Sequence, residues 1–167
     1  MKTYTVETLP NTAGQGAQLR LSGYASIFNN PDLSGDIVRR GAFAPSLIKL
    51  AGGGLPMLLG HETGAPIGVW DRIIEDGSGL FVSGRIIGGE PRSERTMALV
   101  RAGALSGLSI GYRPVRARKT ASGRELLELD LWEVSIVAFP MLRAARITQI
   151  GDISTPTPSH SQQGEIL

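Results

Sequence analysis

Between Glu125 and Phe139 the chain alternates with a period of two, which predicts a strand. Leu127, Leu129, Leu131, Glu133, Ser135 and Val137 fall on one face, and Glu128, Asp130, Trp132, Val134, Ile136 and Ala138 on the other. Both faces turn apolar toward the C-terminal end, as in a strand entering the middle of a sheet. The same period predicts strands over residues 1–9, 19–28, 67–74 and 79–86. Asp76-Gly77 between the last two is a hairpin signal. Helical spacing is confined to a short segment over residues 41–50 and a better one over 91–102, where proline suits the first turn and Gly103 the position after the end. Asn29 to Asp36 is dense in turn formers, and Leu55 to His61 is an apolar run that ends on a histidine. After Pro140 a short helix or strand is expected to about Ile150. The predicted fold class is mainly β with peripheral helices (α+β), an antiparallel barrel or strongly curled sheet.

Length and composition narrow the picture. A chain of 167 residues suits one folded unit, here residues 1–151, followed by a polar, proline-containing tail over 152–167 expected to be disordered. No apolar run approaches the ~18 residues that cross a membrane, and the N-terminus lacks the apolar core of a signal peptide. With no cysteine there is no disulfide, thiolate nucleophile or cysteine metal site. These features fit a soluble protein of a reducing cytoplasm. A metal is not expected, because one usable histidine and scattered carboxylates match no ligand spacing. No phosphate-binding loop is present, so no cofactor is expected. Residues 113–124 carry five basic side chains and no acid. Without interleaved aromatics, this run is read as a solvated hairpin tip rather than a nucleic-acid contact.

Acyl transfer by an activated serine remains open. It requires a hydroxyl, a base and a group that orients the base. Of the two histidines, His160 lies in the tail, so His61 is the base candidate, the alternative being a surface histidine in a Gly60–Gly64 loop. Ser109 is the hydroxyl candidate over Ser106, at a turn after the helix, and Ser135, in a buried strand. Gly107 and Gly111 flank Ser109 and permit close backbone approach, which a bound peptide or a packed strand would each exploit. Glu133, on an apolar face, needs a partner, because burying an unpaired carboxylate costs several kcal/mol. Either His61 or one of the fourteen arginines could serve. If residues 107–117 and 125–138 pair about Thr120–Gly123, a two-residue loop puts Ser109 and Glu133 on opposite sides of the sheet. A three- or five-residue loop, or a bulge, puts them on one side.

Five segments, taken in order, resemble the prohead (capsid maturation) proteases of HK97-type tailed phages. They are Gly23-Tyr24-Ala25-Ser26-Ile27-Phe28; Gly35-Asp36-Ile37-Val38 with Gly41-Ala42-Phe43; Leu58-Leu59-Gly60-His61 with Ile67-Gly68; Leu105 through Tyr112; and Leu131-Trp132-Glu133-Val134-Ser135-Ile136-Val137. The resemblance covers about residues 20–147. One departure is Pro140-Met141-Leu142, where the family tends to have Pro-Ala-Asn.

The resemblance implies a barrel like the herpesvirus assemblin protease and a serine endopeptidase with Ser109, His61 and Glu133 as its catalytic residues. Arg143 and Arg146 would aid the oxyanion by analogy. It further implies a substrate that is scaffold or the scaffold-like arm of the major capsid protein, cut inside the immature capsid (prohead) in the host cytoplasm. A homo-oligomer and cleavage of its own tail are compatible with it. The competing reading is a non-catalytic capsid assembly or scaffold-binding domain with the same fold.

Overall fold

The computed structural model describes residues 3–7, 16–51 and 53–153. Its strands are Tyr4–Glu7 (β1), Gln18–Ile27 (β2), Asp36–Val38 (β3), Pro56–Leu59 (β4), Gly68–Glu75 (β5), Gly79–Ile87 (β6), Gly107–Lys119 (β7), Arg124–Val137 (β8) and Arg146–Ile153 (β9). Two helices, Ala44–Leu50 (α1) and Pro91–Arg101 (α2), interrupt them. Seven strands close on themselves in the order β5-β4-β8-β7-β9-β2-β6, with β6 returning to β5. β1 adds to β5, and β3 adds to β8 beside β4. Most pairings are antiparallel, whereas β3 and β4 run parallel to β8.

The expected barrel with peripheral helices is therefore present. The β5–β6 hairpin turns at Asp76, whose Oδ1 accepts from the amides of Ser78 and Gly79. α1 carries its proline in the first turn, and Gly103 after α2 has φ 77°. The segment after Pro140 becomes a strand, and β9 runs through Asp152 and Ile153, two residues into the segment expected to be tail. The rest of that tail, His160 included, lies outside the described residues, as do residues 8–15.

The barrel interior holds Trp70, Phe43, Leu19, Leu21, Met57, Ile73, Leu80, Ile86 and Leu108, each at most 1% exposed. Each fully buried side chain of this size contributes ~1.5–3 kcal/mol. Trp70 satisfies its indole by donating Nε1–H to the Val134 carbonyl at 3.1 Å. Met97 and Val100 of α2 join the same core. Glu75, 4% exposed, caps the chain entering α1 by accepting from the Gly41 and Phe43 amides. Burial pushes its carboxyl above the usual range.

The β7–β8 hairpin positions the site. Its tip, residues 120–123, has four residues, with the Thr120 amide donating to the Gly123 carbonyl. An even loop alone would send Ser109 and Glu133 to opposite faces. Three register shifts intervene, however. Trp132 and Leu127 are extra on β8 and Val115 is extra on β7, a net gain of one residue on β8. Ser109 therefore stands opposite Ser135, and Gly111 opposite Glu133.

The shift at Trp132 also reverses which residues face inward. Leu129 and Leu131 lie in the core before it, and Val134 and Ile136 after it. Glu133 thus does not share a face with Leu129 and Leu131, as simple alternation predicts. It lies with Ser135 on the outer face of the barrel. The bulge is secured by Ser46 of α1, whose Oγ accepts the Leu131 amide at 2.8 Å. Trp132 itself is 57% exposed.

Candidate functional site

Three segments meet on the outer face of β7 and β8. β4 runs parallel to β8 with Leu58 beside Ser135, and the Gly60 amide donates to the Ile136 carbonyl at 3.0 Å. Gly60 and His61 then take left-handed conformations, φ 61° and 64°. For a non-glycine residue this costs free energy, although histidine is among those that adopt it more often. The turn brings His61 back over β8.

A closed ring of three hydrogen bonds results. His61 Nδ1 lies 2.6 Å from Glu133 Oε1. Ser135 Oγ donates to Glu133 Oε2 at 2.7 Å and accepts the His61 backbone amide at 3.0 Å. Glu133 is almost fully buried, while the imidazole remains 45% exposed. The stranded carboxylate thus finds its partner in the histidine, not an arginine. An ionised carboxylate only accepts, so Nδ1 carries the proton and Nε2 keeps its lone pair.

Ser109, 6% exposed, shares this face one pleat from Glu133. Among the described residues its Oγ has no hydrogen-bond partner, and no bond joins it to His61. Ser135 is committed to the ring above. Ser106 accepts from Arg146 Nη1 at 3.1 Å, and Arg146 Nε donates to the Arg143 carbonyl. The hydroxyl free to react is therefore that of Ser109.

The flanking glycines do not leave space for a substrate strand. A Cβ at Gly111 would lie 2.2 Å from Glu133 Oε1, and one at Gly107 would lie 2.7 Å from the Pro140 ring. Gly111 makes room for the carboxylate, and Gly107 for the turn after β8. The sequence signal for Gly111 was present, but only the register reveals what fills the space. The positioning role of Ser135 carried no signal apart from its place two residues after Glu133.

Ser109 also lines a cavity of about 200 Å³ bounded by β2, β7, the loop before β3 and the turn after β8. Asp36, 5% exposed, stands in its wall and is held by Arg124 through both carboxylate oxygens and by the Tyr112 hydroxyl at 3.3 Å. The Arg124 hydrogen bond keeps the Asp36 carboxyl below the usual carboxylate range despite burial. Its contribution to stability is present above the ordinary aspartate pKa, about 3.9, and is lost as pH falls through the lower folded value. Asp36→Asn should therefore lower the melting temperature at neutral pH. The deficit against the native chain should shrink when the melts are repeated in increasingly acid buffer. A deficit that stays constant with pH would argue against this linkage.

The basic hairpin is largely neutralised within the chain. Arg113, Arg116, Arg118 and Arg124 face Asp130, Glu128, Glu125 and Asp36 respectively. Among the described residues no group of three or more His, Asp or Glu side chains is arranged to hold a metal. No helix among them is long and apolar enough to cross a membrane.

Comparison with known proteins gives the family and a fold neighbour. Residues 4–157 match the family model described as caudovirus prohead serine protease. The chain is 32% identical over 151 residues to the prohead protease of Enterobacteria phage HK97, spanning 88% of this chain and 67% of that one. Its fold is similar to that of KSHV protease, solved in complex with a hexapeptide phosphonate inhibitor. The TM-score is 0.52 at 15% identity, with 80% of this chain and 65% of the KSHV chain covered. At that identity the likeness concerns the fold alone.

Proposed function

The chain belongs to the caudovirus prohead serine protease family, whose role is proteolysis in prohead maturation, and from this premise we propose that Ser109, His61 and Glu133 form its catalytic triad. The observation that carries the assignment is the 2.6 Å bond between His61 Nδ1 and buried Glu133, on the same strand face as an uncommitted serine. With Nδ1 engaged, Nε2 is the nitrogen that takes the Ser109 proton. Ser109 Oγ attacks the peptide carbonyl, the tetrahedral intermediate collapses, and the imidazolium delivers its proton to the leaving amine. Water then cleaves the acyl-enzyme by the same base, restoring the serine. Glu133 holds the imidazole in the productive tautomer and stabilises its charged form.

The substrate is the scaffold, or the scaffold-like arm of the major capsid protein, cut inside the immature shell. One observation favours a non-catalytic scaffold-binding domain instead: no hydrogen bond joins Ser109 to His61. Catalytic hydrogen bonds are often long before substrate arrives, so this does not outweigh the ordered carboxylate and imidazole. The deciding experiment co-expresses the chain with its capsid and scaffold proteins and maps new termini by mass spectrometry. New termini in either protein are expected, whereas intact masses with a bound partner would establish the binding-domain reading.

A substitution away from the reacting atoms tests the arrangement separately. Gly111→Ala places a methyl where Glu133 Oε1 now lies, so the carboxylate must rotate off His61. The expected result is a fall in kcat of about 10²-fold or more, with KM nearly unchanged, because the lost interaction acts in the transition state. A native melting temperature with native kcat would show that the Glu133 position does not matter.

A further inference from the structure

The cavity beside Ser109 has the chemistry of a side-chain subsite. Val38 and Leu142 contribute apolar wall, while Asp32, Asp36, Tyr112 and Arg124 provide a polar end. Its volume exceeds that of several waters, enough for one long side chain. The charges at the polar end do not cancel. Arg124 is committed to Asp36, its bidentate partner. Asp32 spends a single oxygen, Oδ1, on the Ser34 amide, the Ser34 hydroxyl and the Asp36 amide. Arg124 also feels the charge of Asp32, but among the described residues no salt-bridge contact joins Asp32 to a cation, and two carboxylates face one guanidinium.

The loop that carries Asp32 is already in place. The Asp32 amide donates to the Asp36 carbonyl at 2.9 Å, and the Leu33 amide to the Met141 carbonyl at 3.0 Å. Burial, and then the charges of Asp36 and Asp32, push the Tyr112 hydroxyl up to about 12. Access fits a peptide. On its edge away from β8, β7 pairs with β9 only at Gly107, among the described residues. Beyond that point an extended segment can lie along β7 past Ser109.

We propose that this cavity receives a lysine or arginine side chain of the substrate next to the scissile bond, its aliphatic stem against Val38 and Leu142 and its cation at Asp32. The proposal rests on Ser109 as the nucleophile. It makes the enzyme selective for basic residues at the cleavage site, through one unpaired carboxylate in a preformed pocket.

Peptidyl diphenyl phosphonates test it, one bearing a lysine side chain and one its uncharged norleucine counterpart. In each, the Ser109 Oγ–phosphorus bond forms as phenol leaves with the serine proton. Labelling of Ser109 in the full chain is followed by intact mass and peptide mapping. The lysine probe should label about tenfold faster at low salt, the value of one charge-assisted contact. That ratio should collapse toward one in Asp32→Asn, which keeps an oxygen for the Ser34 and Asp36 amides. In the native chain the ratio should also fall as salt is raised, since Asp32 is only partly buried. Equal rates, a ratio that survives Asp32→Asn, or one indifferent to salt would each overturn the subsite and leave the nucleophile standing. Failure of both probes to label Ser109 would overturn the nucleophile and the subsite with it.

Discussion

Ser109→Ala is expected to lower the rate of cleavage by ~10⁴-fold or more, while the melting temperature changes by no more than a few degrees. The size of the kinetic effect follows from the role: without Oγ no acyl-enzyme can form, and only binding and oxyanion stabilisation remain. The small structural effect follows from the site. Ser109 Oγ holds no hydrogen bond to another described residue, so its removal strands no donor or acceptor. Its strand neighbours Leu108 and Ile110, which do the packing, are untouched. The measurement pairs a cleavage assay on scaffold and capsid protein with a thermal melt. Native cleavage by the alanine variant would remove Ser109 from the mechanism.

The second large effect is expected from Glu133→Gln, a fall in kcat of ~10³–10⁴-fold with little change in KM. Glutamine matches glutamate in size but offers one acceptor oxygen in place of two. Glu133 now accepts from His61 Nδ1 and from Ser135 Oγ at the same time. The amide satisfies one of these partners and turns a donor toward the other. If it faces His61, the ring must accept at Nδ1 and present a protonated Nε2 to the serine, the wrong form for a base. Removing a buried charge also removes its desolvation cost, so stability should fall little if at all. Loss of activity without loss of stability distinguishes an orienting group from a structural one. Native kcat in the glutamine variant would reduce Glu133 to a buried ion-pair partner.

The parts of the fold legible in sequence are those whose signal is local. The Asp76-Gly77 turn, the proline at the start of α2 and the alternation along β2, β5 and β6 each depend on neighbours within a few residues. β3 left no such signal, because three residues, Asp36–Val38, pair with β8 across a gap of 88 positions inside a turn-rich stretch. His61, Ser109 and Glu133 stood out by scarcity, by flanking glycines and by a charge among leucines. Their grouping on one face was not legible. It depends on extra residues at Trp132, Leu127 and Val115, and bulges have no compositional mark in an alternating run. For the same reason simple alternation puts Glu133 on the face of Leu129 and Leu131, and the space at Gly111 is filled by the carboxylate and not by substrate. The Asp36–Arg124 pair leaves no local mark, because residues distant in sequence compensate each other's charge.

The bulge at Trp132 has a further consequence for how this protein can vary. It acts as a parity switch in the hairpin: Leu129 and Leu131 face inward on the tip side of it, and Val134 and Ile136, which pair with β4, on the site side. The Ser46 hydroxyl on the Leu131 amide holds β8 just before the bulge, and the Gly60 amide on the Ile136 carbonyl holds it on the site side, neither with reference to residues 120–123. A change of length at the tip should therefore be taken up among the irregularities at Val115 and Leu127 before it reaches Glu133. Losing one residue at the tip should be a surface event. Losing Trp132 would remove the bulge itself: Leu131 and Glu133 would become consecutive in a regular strand, inward and outward in turn, and would keep Tyr112 and Gly111 as their partners.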